Sequence, residues 1–118
     1  MIKGSCLCGK VTYRVDEKFS VIECCHCLVC RKSHASAFSM GVTISAESFV
    51  ILTGNELLTQ FESSANKKRV FCSVCGSQIY AYNPDDSDFI RLRPALLDVD
   101  LNQFEYKHIY TDYKICKT

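Results

Sequence analysis

Cysteine placement constrains this chain more than any other feature. Nine cysteines occur in 118 residues, and eight fall into short clusters: Cys6 and Cys8, then Cys24, Cys25, Cys27 and Cys30, then Cys72 and Cys75. No stretch approaches eighteen consecutive apolar residues, and Met1 to Lys10 carries cysteines and glycines where an export signal needs an apolar run. The expected setting is therefore cytoplasmic, where the thiol pool keeps cysteines reduced and disfavours a disulfide framework. Reduced thiols at these spacings suit metal. Two cysteines one or two residues apart can place both sulfurs on one edge of a tetrahedron, the geometry in which zinc takes four soft ligands. Cys116 stands alone, and Cys24 points away from Cys25 if the segment before the cluster is extended, so both read as small buried hydrophobes outside any site.

Two of the cysteine pairs share a detail. Cys6-Leu7-Cys8-Gly9 and Cys72-Ser73-Val74-Cys75-Gly76 each place a glycine directly after the second cysteine. Glycine there can take positive φ and curl the backbone so that amide N–H groups point at the sulfurs. Loop length does not choose the pairing. Joining Cys8 to Cys25 closes 16 intervening residues against 63 before Cys72, yet the longer loop costs only about 1.2 kcal/mol more, where structural zinc supplies roughly 10 to 16 kcal/mol. The shared knuckle chemistry assigns Cys6, Cys8, Cys72 and Cys75 to one closed four-thiolate zinc site whose role is stability.

Cys25-His26-Cys27-Leu28-Val29-Cys30 then has three thiols inside six residues and no obvious fourth cysteine. Three protein ligands leave a coordination position for water or substrate, as a catalytic zinc requires. The alternatives are a second structural site completed by a histidine, and a reduced cluster without metal. His34 lies four residues after Cys30 and faces back toward it if that turn is helical, so it is weighed as a fourth ligand, a general base or a surface residue. His26 is expected to point away from the cluster, and His108 to belong to a strand.

Between the clusters the pattern is strand-like, with Val11, Tyr13 and Val15 alternating against Thr12 and Arg14. Similar runs cover 20–23, 37–44, 49–52, 57–61, 69–71, 78–82, 89–92 and 104–110, separated by turn chemistry at Thr53-Gly54-Asn55, Ser63-Ser64-Ala65-Asn66 and Asn83-Pro84-Asp85-Asp86. The spacing predicts a mainly β fold of antiparallel sheets with little helix, beyond a short turn through Arg31 to Ala35. A chain of this length suits a single domain, residues 1–118. A formal charge of +1 supplies no long-range field for nucleic acid or an anionic membrane.

The motifs Gly4-Ser5-Cys6-Leu7-Cys8-Gly9-Lys10-Val11-Thr12-Tyr13, Cys25-His26-Cys27-Leu28-Val29-Cys30-Arg31-Lys32 and Phe71-Cys72-Ser73-Val74-Cys75-Gly76-Ser77 occur in this order. The chain resembles the glutathione-dependent formaldehyde-activating enzyme family, which includes centromere protein V. The similarity runs from Gly4 to about Asp98, with a weaker echo at His108-Ile109-Tyr110. It implies a zinc-bound, Mss4-like antiparallel β fold with a structural zinc at Cys6, Cys8, Cys72 and Cys75. A second zinc is implied at Cys25, Cys27 and Cys30, handling the thiol of glutathione with formaldehyde to form S-hydroxymethylglutathione, a carbon–sulfur lyase reaction read in reverse. The chain departs from the family pattern at His34, where a small residue is usual, and at Pro94-Ala95, where a glycine-containing turn is expected.

Thiol activation is the expected chemistry, because the thiolate is the nucleophile and zinc removes the thiol proton. Zinc held by three cysteinates carries one net negative charge, which suits delivery of a thiolate better than polarisation of a carbonyl. Arg31 and Lys32, beside Cys30, are placed to offset that charge or to hold a substrate carboxylate. The rival reading is a non-enzymatic zinc module that binds a protein or nucleic acid, with transient zinc storage as a third. Lys67-Lys68-Arg69, with Phe71 beside it, is the best basic patch for the module reading, and a solvated hairpin end opposed by Asp85, Asp86 and Asp88 is its expected place.

Overall fold

Alternation decides most of the architecture. The structure, a computed structural model, describes residues 1–115, so Cys116 lies outside the described residues. Ten strands follow in chain order: β1 (Ile2–Ser5), β2 (Thr12–Val15), β3 (Val21–Cys25), β4 (Ser39–Ser45), β5 (Phe49–Thr53), β6 (Leu58–Ser64), β7 (Lys67–Cys72), β8 (Gln78–Asn83), β9 (Asp86–Leu92) and β10 (Glu105–Ile109). One helix, α1 (Leu28–His34), stands between β3 and β4. It starts earlier than expected because Cys27 serves as its N-cap, the Cys27 side chain accepting from the Cys30 amide. β1 has no apolar alternation of its own. It forms by pairing with β2, from Ile2 opposite Val15 to Ser5 opposite Thr12.

The strands make a three-stranded sheet in the order β1-β2-β5 and a seven-stranded sheet in the order β10-β3-β4-β9-β8-β7-β6. All pairs among the described residues are antiparallel except β10 with β3, which run parallel from Glu105 opposite Val21 to Ile109 opposite Cys25. Phe19 stacked on Phe104, ring centroids 4.9 Å apart, anchors the entry to both strands and sets that register. The mainly antiparallel β expectation holds, with this one parallel edge as the exception.

A single core joins the sheets. Val11, Tyr13 and Val15 from the smaller sheet side meet Val42, Ile44, Ile90 and Leu92 from the larger one, and each such aliphatic side chain stabilises by about 2 kcal/mol when fully buried. Phe49 bridges the layers, 5.0 Å from the Tyr13 ring and 5.2 Å from Tyr80. The turns fall where their chemistry put them. Gly54 takes φ 81 beside the Lys10 backbone, and Asn66 takes φ 60 at the β6–β7 hairpin.

Candidate functional site

Cys6 and Cys8 follow β1, while Cys72 closes β7 and Cys75 lies in the next turn. The four sulfurs lie within 4.8 Å of one another. Both knuckles curl as their glycines require: Gly9 at φ 78 donates its amide to the Cys6 carbonyl at 3.1 Å, and Gly76 at φ 79 donates to the Cys72 carbonyl at 2.8 Å. The Val11 amide faces Cys6 Sγ at 3.4 Å. Ser77 ties the halves together, accepting from the Leu7 amide at 3.0 Å and lying 3.3 Å from Cys75 Sγ. Hydrogen bonds from Ser77 pull the Cys75 thiol down to about 5. Four soft donors so gathered, one already biased toward thiolate, fit a tetrahedral metal ion.

Cys25 at the end of β3, Cys27 at the helix N-cap and Cys30 within α1 form a second group, also within 4.8 Å. Helical geometry brings Cys30 back over Cys27, and strand alternation sends Cys24 to the opposite side, where it is buried apart from the group. Burial pushes the Cys30 thiol up, yet hydrogen bonds from Ser39, Arg69 and the two neighbouring thiols outweigh it and bring the thiol down to about 6. Cys25 is pushed up to about 12, chiefly by burial and then by its thiol neighbours. In such a trio one thiolate forms readily, and the others need a cation among them to lose their protons.

Arg69 is the cation that reaches this group. Only 2% exposed, it donates from Nη2 to Cys30 Sγ at 3.6 Å and from Nε to Ser63 Oγ at 2.9 Å, while Nη1 lies 3.3 Å from His34 Nε2. The solvated hairpin end expected for Lys67-Lys68-Arg69 is therefore corrected. Val70 and Cys72 face the core, and Arg69 on the other face of β7 turns inward beneath α1 with Lys67 half-buried beside it. Arg31 and Lys32 make no side-chain hydrogen bond or ion pair among the described residues. Their carbonyls instead accept from the Ser36 and Ala35 amides at the helix end.

Arginine only donates, so His34 Nε2 is an acceptor and its ring is the neutral Nδ1–H tautomer. Burial, then Arg93, Arg69 and Lys67, hold its pKa down to about 4. His34 is not among the ligand atoms gathered at the second group. His26, completely buried, also turns away from the thiols, as expected. Its Nε2 lies 2.8 Å from His108 Nδ1 on β10, with Phe38 packed against both rings.

A cleft of about 500 Å³ opens between the end of α1, the start of β4 and the turn after β9, with His34, Ser39, Met40, Gln78, Arg93 and Leu96 in its wall. Ser39, which stands opposite Cys25 in the pairing of β3 with β4, makes the cleft adjoin the three-thiol group.

The family described as glutathione-dependent formaldehyde-activating enzyme matches residues 1–113. The chain belongs to that family. An uncharacterised lyase of Schizosaccharomyces pombe is 30% identical over 78 residues, 66% of this chain and 55% of that protein, so the match spans little more than half of the relative. A Halomonas elongata protein, described as a candidate glutathione-dependent formaldehyde-activating enzyme, is 25% identical over 108 residues, 86% of this chain and 68% of that one. A Rhodobacter sphaeroides protein of known crystal structure shares the fold, with a TM-score of 0.71 and 22% identity over 89% of this chain and 99% of that one. Among the described residues no helix is long and apolar enough to cross a membrane.

Within this glutathione-dependent formaldehyde-activating enzyme fold, the sequence pattern placed Arg69 on a solvated hairpin and did not single out Arg93, Ser39 or Gln78. The one available signal was an arginine, the cation best suited to a buried multidentate role, standing directly before the apolar pair Val70-Phe71 in a strand. Local pattern says nothing about which strand α1 would cover.

Proposed function

We propose that this protein makes or breaks the carbon–sulfur bond of a thiol–aldehyde adduct of the S-hydroxymethylglutathione kind, using zinc at Cys25, Cys27 and Cys30. The observation that carries the reading is the three-thiol group within 4.8 Å, with a buried guanidinium on one sulfur and a cleft at its side. Family membership and the relatives' names support it. Zinc bound there would supply activation of a substrate thiol as thiolate. In the forward direction the thiol loses its proton, its sulfur adds to the aldehyde carbon and forms the carbon–sulfur bond, and the carbonyl π electrons move to oxygen, which takes up a proton. The reverse direction releases thiol and aldehyde.

The remaining parts follow from the chain's own residues. Arg69 offsets the negative charge gathered on Cys30, and neutral His34 orients that guanidinium rather than carrying the substrate's proton. Cys6, Cys8, Cys72 and Cys75 hold a structural zinc that ties the first knuckle to β7. Arg31 and Lys32 contribute positive charge on α1, next to Cys30 in the chain. A reducing cytoplasm is the matching compartment, and glutathione the matching partner thiol. The test follows glutathione and formaldehyde exchange by NMR with the protein, without it, and with Cys27→Ser, alongside metal content. Two zinc ions per chain and an acceleration lost in Cys27→Ser are expected. Equal rates in all three samples overturn the reading for this pair.

A further inference from the structure

Arg93 sits at the turn after β9, 5% exposed, in the wall of the cleft beside the three-thiol group. Its Nη1 is occupied, donating to the Met40 carbonyl at 3.2 Å. Its Nε and Nη2 have no partner, although both atoms are buried. A guanidinium deprived of water and left with open donors is costly, and native structures satisfy such groups. The two free donors are also a matched pair: Nε–H and the neighbouring Nη2–H form the side edge of the guanidinium, whose spacing fits the two oxygens of one carboxylate. Gln78 Oε1, in the same wall, is likewise buried without a partner; an amide can present either its oxygen or its nitrogen to a bound group. No acidic residue is in the cleft wall to neutralise Arg93.

We infer that the Arg93 side edge is a carboxylate subsite, so that the cleft takes a thiol carrying a carboxylate and aligns it with the neighbouring three-thiol group. The inference deepens the proposed function and rests on it for the word thiol; carboxylate binding itself stands without turnover. Burial, then Arg69, lower the Arg93 pKa to about 10, and nearby Cys30 and Cys25 partly oppose them, which leaves the group charged at neutral pH. Arg69 cannot take this role, because its three nitrogens are already engaged by Ser63, His34 and Cys30.

The test is binding, measured by calorimetry on the metal-loaded protein with S-methylglutathione, which has carboxylates and no reactive thiol, against its dimethyl ester. The acid is expected to bind about ten- to a hundredfold more tightly than the ester, and Arg93→Gln to remove that difference. Arg93→Lys keeps the charge without the paired donors, and is expected to fall between wild type and Arg93→Gln; circular dichroism and metal content verify the fold of each. If neither variant folds, the acid-against-ester comparison on wild type decides. Equal affinity for acid and ester, no binding of the acid, or wild-type affinity in Arg93→Lys overturns the subsite. Acid-selective binding without thiol–aldehyde exchange keeps the subsite and overturns the proposed reaction, whereas exchange without acid selectivity does the reverse.

Discussion

Arg69 and Cys30, 39 residues apart, meet at 3.6 Å in the buried space between β7 and α1. This contact joins the strand that leads into the first sulfur cluster to the helix that carries the second. Replacing Arg69 by leucine removes a charged donor from Cys30, Ser63 and His34 together. Hydrogen bonds to charged groups contribute about 1.5 to 3 kcal/mol each, non-additively. A loss on the order of 3 kcal/mol is expected in chemical denaturation, with weaker metal retention at Cys25, Cys27 and Cys30 than at the four-thiol cluster under chelator competition.

The two clusters should respond differently to loss of one ligand. Cys72 is completely buried, and zinc at a four-thiol site supplies roughly 10 kcal/mol or more of folding energy. Cys72→Ser is expected to abolish soluble folded protein. Cys27→Ser should leave a folded chain with one zinc, as read by metal analysis and circular dichroism.

His34 gives the protein an acid-side weakness. Its pKa is about 4 in the folded chain, below the ordinary 6.5, so the unfolded chain binds the extra proton first. The stability held by the neutral ring is complete above pH 6.5 and is lost as pH falls toward 4, by on the order of 2 kcal/mol after solvent screening. Urea denaturation across that interval should show a shallower pH slope in His34→Gln, whose side-chain oxygen can still accept from Arg69.

Ala35 ends α1 with φ 49, a conformation that costs an L-residue roughly 1 kcal/mol and costs glycine little. Ala35→Gly is expected to raise the melting temperature by about 4 °C in a thermal scan.

Gly54 presents the opposite case. It combines φ 81 with a close approach to the Lys10 carbonyl, where a Cβ has no room. Gly54→Ala is expected to destabilise by about 2 to 4 kcal/mol, measured by the same scan, because the backbone of the segment before β2 must move.

These positions also show what the chain discloses before folding. Gly9 and Gly76 mark the two knuckles because a backbone curl after the second cysteine needs a local residue type, and local requirements are visible in sequence. The strands around Tyr13 and Ile79 were visible for the same reason, through period-two burial. Arg69 was not. Whether a strand face meets solvent or a helix depends on tertiary cover, and α1 reaches β7 across 39 residues of chain. Arg93 was hidden for a related reason, since it follows β9 in a turn and becomes buried only when the start of β4 lies over it. The His26–His108 contact likewise needed β10 to settle parallel to β3, a pairing that no alternation pattern announces.

That parallel edge imposes an order on biosynthesis. All four cysteines of the four-thiol cluster have emerged once residue 75 has left the ribosome, whereas β3, which ends in Cys25, waits for residues 105–109 to emerge before it acquires its outer neighbour. The nascent chain can therefore gather that cluster while the strand that flanks Cys25 is still inside the exit tunnel, and the thiols at Cys25, Cys27 and Cys30 pass that interval without β10 beside them.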